Sequence, residues 1–236
     1  MTAVLSALHG PSPGLIGGDP LDCARVLGVD GVAVSAGGSR QPGELLWATA
    51  GVSTALEDLQ FTLGEGPAVE AMTAGMPVLE PDLTDVAAVR WPALLAELGP
   101  YGVAAVFCFP LQVGAACAGV LSLQRARAGP LAPAAMDDAL LLADALTAVV
   151  LGNGSRLAEF AEAEPSSELY RAVVHQASGM ISVQAGVPIA QALLLLRGHA
   201  YRNSRSVVEV AEDVVARRLH FRNDDNGPGP SVGKRG

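Results

Sequence analysis

The hydrophobic pattern changes at Pro133, and that change limits what the chain can fold into. Upstream, short apolar runs alternate with glycine- and proline-rich punctuation. Downstream, the spacing is helical throughout. With 236 residues, half of them apolar, the chain is long enough for two domains.

The upstream part reads as mixed helix and strand. DPLDCARVLG carries Asp19 as an N-cap, Pro20 at the first helical position and Gly28 as the stop. DGVAVSAG and ELLWATAG are strand-like runs joined by GGSRQPG, which has hairpin-loop composition. A second strand pair, residues 102–111 and 117–125, turns near Val113 to Ala116. Helical stretches near 54–60, 67–74 and 92–98, with a short strand at PVLEP, lie between the pairs. Strand pairs interrupted by helices predict an α+β fold with an antiparallel sheet flanked by helices. Residues 1–17 are expected to form a flexible N-terminus.

Beyond Pro133, Ala139, Ala143, Leu146, Val150, Asn153, Leu157 and Phe160 alternate at four- and three-residue spacing, the seam of a two-stranded coiled coil. The seam would make a homodimer; alternatively its first half packs on the chain's own sheet. EAEPSSE at 162–168 reads as a break, so residues 153–165 are a linker. Three helices follow within 166–222, the third opened by a capping box of Ser206 and Glu209. The tail 223–236 has a disordered composition, rich in Gly, Pro and Asp.

Charge divides along the same line. From Pro165 onward there are nine Lys and Arg against six Asp and Glu, a net +3 inside a chain of net charge −9. Such asymmetry points to an acidic module joined to one that meets an anion. The apolar stretch at 134–151 is interrupted by Asp137, Asp138 and Asp144 and reads as a soluble helix, with no membrane partner. No secretion signal is evident at the start. Cys23, Cys108 and Cys117 lack metal-ligand spacing, so free thiols in a reducing cytoplasm are expected. No catalytic arrangement, metal site or cofactor motif is found, and the chain does not read as an enzyme.

The helical faces carry the candidate sites. At 100° per residue, Leu169, Val173, Ala177, Met180 and Gln184 share one side of the first C-terminal helix. Arg171, His175, Ser178 and Ser182 share the opposite, exposed side, with Gly179 at its edge. A glycine inside a helix costs roughly 0.5 to 1 kcal/mol relative to alanine. It therefore serves close approach, either of an outside partner or of a neighbouring helix. On the second helix Ile189, Ala192, Leu193, Leu196 and Ala200 form the inward stripe, flanked by Arg197 and Tyr201. Arg197 and Tyr201 suit a splayed base, or else Tyr201 covers the core while Arg197 solubilises. On the third, Val207, Val210, Ala211, Val214 and Phe221 point inward, and Arg217 is placed to pair with Asp213. Arg218 meets phosphate or complements the helix dipole.

At these residues the sequence resembles the ANTAR family, all-helical RNA-binding output domains of bacterial transcription antiterminators. HQASGMISVQAGV at 175–187, AQALLLLRGHAY at 190–201 and SVVEVAEDVVARRL at 206–219 carry the likeness. Residues 18–152 resemble the GAF domain found upstream of ANTAR in actinobacterial proteins. That likeness rests on GEGPAVEA at 64–71, PVLEPDL at 77–83, RWPAL at 90–94, GVAAVFCFPL, GVLSLQR and LLADALTAVVL at 141–151. It departs at Ala68, where many relatives carry cysteine. The resemblance implies a GAF sensor controlling an ANTAR bundle that binds tandem hairpin loops in nascent RNA, usually as a dimer. Arg171, His175, Ser178, Gly179, Arg197, Tyr201 and Arg218 are then the candidate RNA-binding residues. Trp47, Phe61, Trp91 and Phe107 are candidates for lining a pocket for an unidentified small-molecule effector, or are plain core. Two other readings stand beside this one: a sensing or interaction module without RNA activity, and a DNA-binding regulator. Against the second, no helix carries several base-reading polar residues on one face.

Overall fold

The computed structural model describes residues 1–8, 15–37, 43–152, 168–203 and 205–221, with the backbone alone at 168–172 and 190. The chain divides into two compact units, Met1–Glu168 and Leu169–Gly236. The expected linker at 153–165 and tail at 223–236 lie outside the described residues, as do Asn153, Leu157 and Phe160 of the seam.

The first unit is the expected α+β fold. Its elements run α1 (Thr2–Ala7), α2 (Pro20–Leu27), β1 (Gly31–Ala36), β2 (Leu45–Ala48), α3 (Val52–Leu63), α4 (Pro67–Ala74), β3 (Val78–Glu80), α5 (Pro92–Glu97), β4 (Ala105–Val113), β5 (Ala116–Arg125) and α6 (Pro133–Gly152). The Asp19 carboxylate accepts the Leu21 N–H at 2.8 Å, and Gly28 closes α2 in the left-handed conformation at φ 65°. Both punctuation marks act as their chemistry dictates.

The five strands are ordered β2-β1-β5-β4-β3, every neighbouring pair antiparallel. The two sequence-local hairpins join through β1 and β5, in register from Gly31 opposite Gln124 to Ala36 opposite Gly119. All six residues of β1 are buried, because this central strand is covered on both faces.

The pleat sorts side chains between two cores. Val32, Val34, Phe107, Phe109, Leu121 and Leu123 join Cys23, Leu27, Leu142 and Leu146 on the side of α2 and α6. Val78, Val106, Cys108 and Val120 join Leu56, Met72, Trp91 and Leu94 on the side of α3, α4 and α5. Within residues 1–17, expected to be flexible, Thr2–Ala7 is helical, and Leu8, Leu15 and Ile16 are at most 5% exposed and extend the first core. Their apolar surface gains more from burial than the segment loses in chain entropy. The seam residues Ala139, Ala143, Leu146 and Val150 face that same core, so of the two alternatives this half of the seam packs on its own sheet.

The second unit comprises α7 (Glu168–Ala185), α8 (Ile189–Arg202) and α9 (Val207–Val215). The capping box at α9 forms in full: Ser206 Oγ accepts the Glu209 N–H and Glu209 Oε2 accepts the Ser206 N–H, both at 3.1 Å. The inward face of α7 is Val174, Ala177, Ser178, Ile181 and Ala185, about one residue round from the expected stripe, and Val173 and Met180 are only half-buried. On α8 the expected stripe holds for Ala192, Leu193, Leu196 and Ala200, whereas Ile189 is 62% exposed at the helix start. Val207, Val210, Ala211 and Val214 bury as expected. Phe221 is half-buried; its N–H donates to Gln184 Oε1 at 2.9 Å, and its ring meets His199 edge-on at 5.3 Å.

Candidate functional site

The sheet face beneath α3 carries a polar layer. On α3, Ser53, Glu57 and Gln60 recur at helical spacing and all point inward. Opposite them, β1 supplies Ser35 and β5 supplies Ser122 and Gln124, all buried. Ser35 Oγ donates to Glu57 Oε2 at 2.6 Å, and Gln60 Nε2 donates to Glu57 Oε1 at 3.3 Å. Gln124 Nε2 donates to Ser53 Oγ, which lies 2.5 Å from Thr49 Oγ1, while Gln60 Oε1 accepts the Ala68 N–H at 2.7 Å. Ala68 is fully buried and tied to the layer through its backbone. Cys108 Sγ approaches Ser122 Oγ at 3.6 Å, and burial raises its thiol above the ordinary range. Burial also pushes Cys23 up to about 12, so both buried thiols stay protonated near neutral pH.

A clamp closes the edge of this side of the sheet. The Arg90 guanidinium grips Glu70 with two bonds, Nε to Oε2 at 2.9 Å and Nη2 to Oε1 at 2.7 Å, and pairs with Glu80 through Nη1. Trp91 Nε1 donates to the same Glu70 oxygen at 3.1 Å, and the guanidinium lies 4.4 Å from the Trp91 ring centroid. The bond from Arg90 holds the Glu70 carboxyl below its ordinary value of 4.5. Glu65 caps α5 by accepting the Ala93 and Leu94 N–H groups at 2.6 and 2.8 Å. The motifs GEGPAVEA, PVLEPDL and RWPAL therefore bind one another. The trace of this clamp in the sequence is three carboxylates, Glu65, Glu70 and Glu80, with Arg90.

The four candidate pocket aromatics are not brought together. Trp47 and Phe107 belong to the core beside α2 and α6, Trp91 to the core on the other side of the sheet, and Phe61 is buried on α3. Only Trp47 and Phe107 lie on strands, and they share one core; Phe61 belongs to α3 and Trp91 stands at the start of α5. The polar layer was unnoticed at the sequence level. Its signal was there in Ser53, Glu57 and Gln60, spaced four and three apart on a helix that is otherwise partly apolar.

In the second unit the structure divides the candidate RNA residues. His175, Tyr201 and Arg218 are exposed, Tyr201 by 77%. Gly179 is half-exposed, and a Cβ added there would meet no heavy atom within 4 Å. Close packing of a neighbouring helix among the described residues therefore does not explain this glycine. Ser178 and Arg197 are corrected: both are buried. Ser178 Oγ donates to the Val174 carbonyl at 2.7 Å, a bond that lets a hydroxyl sit inside a helix face. Arg197 lies in the stripe of Ala192, Leu193, Leu196 and Ala200, and burial lowers its guanidinium to about 10, still charged at neutral pH. The side chain of Arg171 lies outside the described residues.

Two further details depart from sequence expectation. Asp213 pairs with Arg205 at 2.8 Å and Arg218 at 2.7 Å rather than with Arg217, and these bonds hold its carboxyl below the ordinary 3.8. Arg217 lies beyond the last turn of α9 with φ 58°, in the left-handed region, so the i,i+4 geometry that pairing needs has ended. Gly198 and Arg202, which sequence reasoning passed over, lie on the exposed face of α8 beside Tyr201. Gly198, like Gly179, has open space where a Cβ would stand.

Among the described residues, no helix is long and apolar enough to cross a membrane, and no group of His, Cys, Asp and Glu is placed to hold a metal ion. The GAF domain family model matches residues 22–150 and the ANTAR domain model matches residues 169–215. The fold is similar to the GAF domain of a phosphoenolpyruvate-protein phosphotransferase from Acinetobacter, at 14% identity and TM-score 0.50, covering 65% of this chain and 92% of that one. It is similar also to the GAF domain of the corresponding protein from Coxiella burnetii, at 15% identity and TM-score 0.50, covering 66% of this chain and 96% of that one. A search of curated proteins found no match. With its antiparallel sheet, its α3–α5 cover and a matching family model over more than half its length, the chain belongs to the GAF family and carries an ANTAR domain after it, the general arrangement of a regulatory sensor joined to an RNA-binding output.

Proposed function

We propose that this chain is a cytoplasmic transcription antitermination regulator whose ANTAR unit binds tandem hairpins in nascent RNA under control of the GAF unit. The observation that carries this reading is the outward surface of the ANTAR-matched helices. α8 has no acidic residue and presents a 77% exposed tyrosine, and α7 and α8 each leave an interior glycine bare. Exposed aromatic surface with cations and no carboxylates suits unpaired RNA bases, which stack on rings while their phosphates meet positive charge. His175, Gly179, Tyr201 and Arg218 are the contact residues on this reading; Arg197 and Ser178 support the helices from within.

The GAF unit senses a small molecule at the polar layer under α3, where Glu57, Ser35, Gln60 and Gln124 supply donors and acceptors that an effector can exchange for its own. The protein acts as a homodimer. Exposed Leu140, Leu141 and Leu151 on the outer side of α6 support that assembly.

Filter binding of the full chain to a two-hairpin RNA and to duplex DNA of equal length tests the reading, followed by transcription through a terminator downstream of the hairpins. RNA preference with increased read-through is expected. Preference for the duplex, or equal read-through with and without protein, overturns it.

A further inference from the structure

We infer that the outward face of α8 around Gly198 is a receptor for one unpaired RNA base, with Tyr201 as stacking surface and Arg202 as phosphate contact. This assignment rests on the RNA-binding reading above and specifies its site. At 100° per residue, Gln191, Leu194, Gly198, Tyr201 and Arg202 fall within about 100° of arc on α8. Ala192, Leu196 and Ala200, the core stripe, are at most 2% exposed. The outer face is the reverse: Leu194 is 63% exposed, Tyr201 77%, and Gln191, Gly198 and Arg202 are all exposed.

Three features of this face are unexplained by folding. A tyrosine ring left in water forgoes the burial that would ordinarily stabilise it. A helix-interior glycine weakens α8, and among the described residues no heavy atom lies within 4 Å of its missing Cβ, so packing by them does not compensate. Leu194, one turn before the glycine, extends the apolar patch. Together they form a shallow bare notch: helix backbone at Gly198, an aromatic ring three residues on, a guanidinium four residues on and a leucine four residues back. A flat base fits against the ring, and its sugar and backbone come closest where no side chain stands. The charge suits a polyanion, since Arg202 stands on this face and α8 carries no carboxylate.

A second copy of the chain is a poorer occupant. A stable dimer buries about 800 Å² per partner, and a patch of five side chains on one helix falls well short of that. A single base needs only the ring and the cation.

The test starts by selecting, with the full chain, from a pool of RNAs carrying two tandem hairpins with randomised loops. The best binder is then remade with an abasic nucleotide at each loop position in turn. Tyr201→Ala should weaken binding about tenfold, and one abasic position should do the same to the unsubstituted protein. The two changes combined should cost no more than either alone, because each removes the same stack. Tyr201→Phe should bind as the parent does, since stacking needs the ring and not the hydroxyl. Gly198→Leu should weaken binding with Tm unchanged or raised, which separates a blocked notch from a damaged fold. Arg202→Ala should lower the slope of log Kd against log salt by about one.

Failure of the parent chain to enrich any RNA overturns the RNA reading and the receptor with it. An enriched RNA that binds Tyr201→Ala and Gly198→Leu as tightly as the parent overturns the receptor alone, as do losses that add in the combined experiment. Altered sedimentation of those variants with unchanged RNA binding assigns the face to a second copy and likewise overturns the receptor.

Discussion

The two units handle polar and apolar groups in opposite ways. The GAF unit turns polar side chains inward: Ser35, Glu57, Gln60, Ser122 and Gln124 are buried in a bonded layer, and its motif charges hold one another in the Arg90 clamp. The ANTAR unit leaves apolar and bare positions outward: Leu194, Tyr201 and Gly198 are open to solvent and Gly179 is half-exposed. Buried polar groups stabilise only while every partner is present, so the first arrangement responds to whatever alters its interior. Exposed aromatic and bare surface gains energy only when something covers it, so the second waits for a partner. A sensor and an output differ in this physical sense before any family name is attached.

The largest expected effect tests the inward half of the contrast. Glu57→Ala removes the acceptor of Ser35 and Gln60 in a dry layer and should destabilise the GAF unit by about 2–3 kcal/mol. Chemical denaturation followed at Trp47 and Trp91 measures it; a loss under about 0.5 kcal/mol would mean that water already satisfies the layer. Arg197→Ala comes next and blurs the line between units, because this cation lies inside a helix stripe. It should cost about 1–3 kcal/mol through lost packing of its stem, seen as a lower Tm with RNA absent. A variant of unchanged Tm that loses RNA would return Arg197 to the surface.

Arg90→Ala opens the clamp. Arg90 and Glu70 are each more than a third exposed, so after solvent screening the loss should be about 1 kcal/mol, with faster amide exchange in residues 81–92 as its local sign. Gly179→Ala sharpens the outward half: stability should rise by about 0.5–1 kcal/mol while RNA binding weakens. A fall in Tm would instead reveal packing against this glycine.

The smallest effect is on pH. Glu70 and Asp213 both titrate below their ordinary values when folded, held there chiefly by bonds from arginine. Their stabilisation is complete above the ordinary values, 4.5 and 3.8, and is lost as pH falls through the lower folded ones. An acid titration of Tm should therefore decline below about pH 4. Asp213→Asn should flatten that decline in the ANTAR unit and Glu70→Gln in the GAF unit; a decline unchanged in both would place the responsible carboxylates elsewhere.

Much of this was legible in the sequence because it depends on neighbours along the chain. Asp19, Pro20 and Gly28 bounded α2, Ser206 and Glu209 capped α9, and strand runs around turn residues marked both hairpins. These signals act within a few residues, where backbone geometry leaves few alternatives. The inward stripe of α7 was less legible. Val173 and Val174, like Met180 and Ile181, are adjacent apolar pairs only 100° apart, and either member could face a core. The position of α8 and α9 decides between them, and that is not a local property.

Sequence alone, then, determined the order and type of the elements, the two-unit division, the capped helix ends and the placing of basic charge in the second unit. Tertiary structure decided which face each side chain serves. Pairing β1 with β5, some ninety residues away, gathered the polar layer beneath α3. Folding also brought Arg90 to Glu70, took Arg197 inside and left Gly198 bare. The physical reason is common to all of these: capping and periodicity are set by bonds between residues a few positions apart, whereas burial depends on what long-range packing sets against each surface.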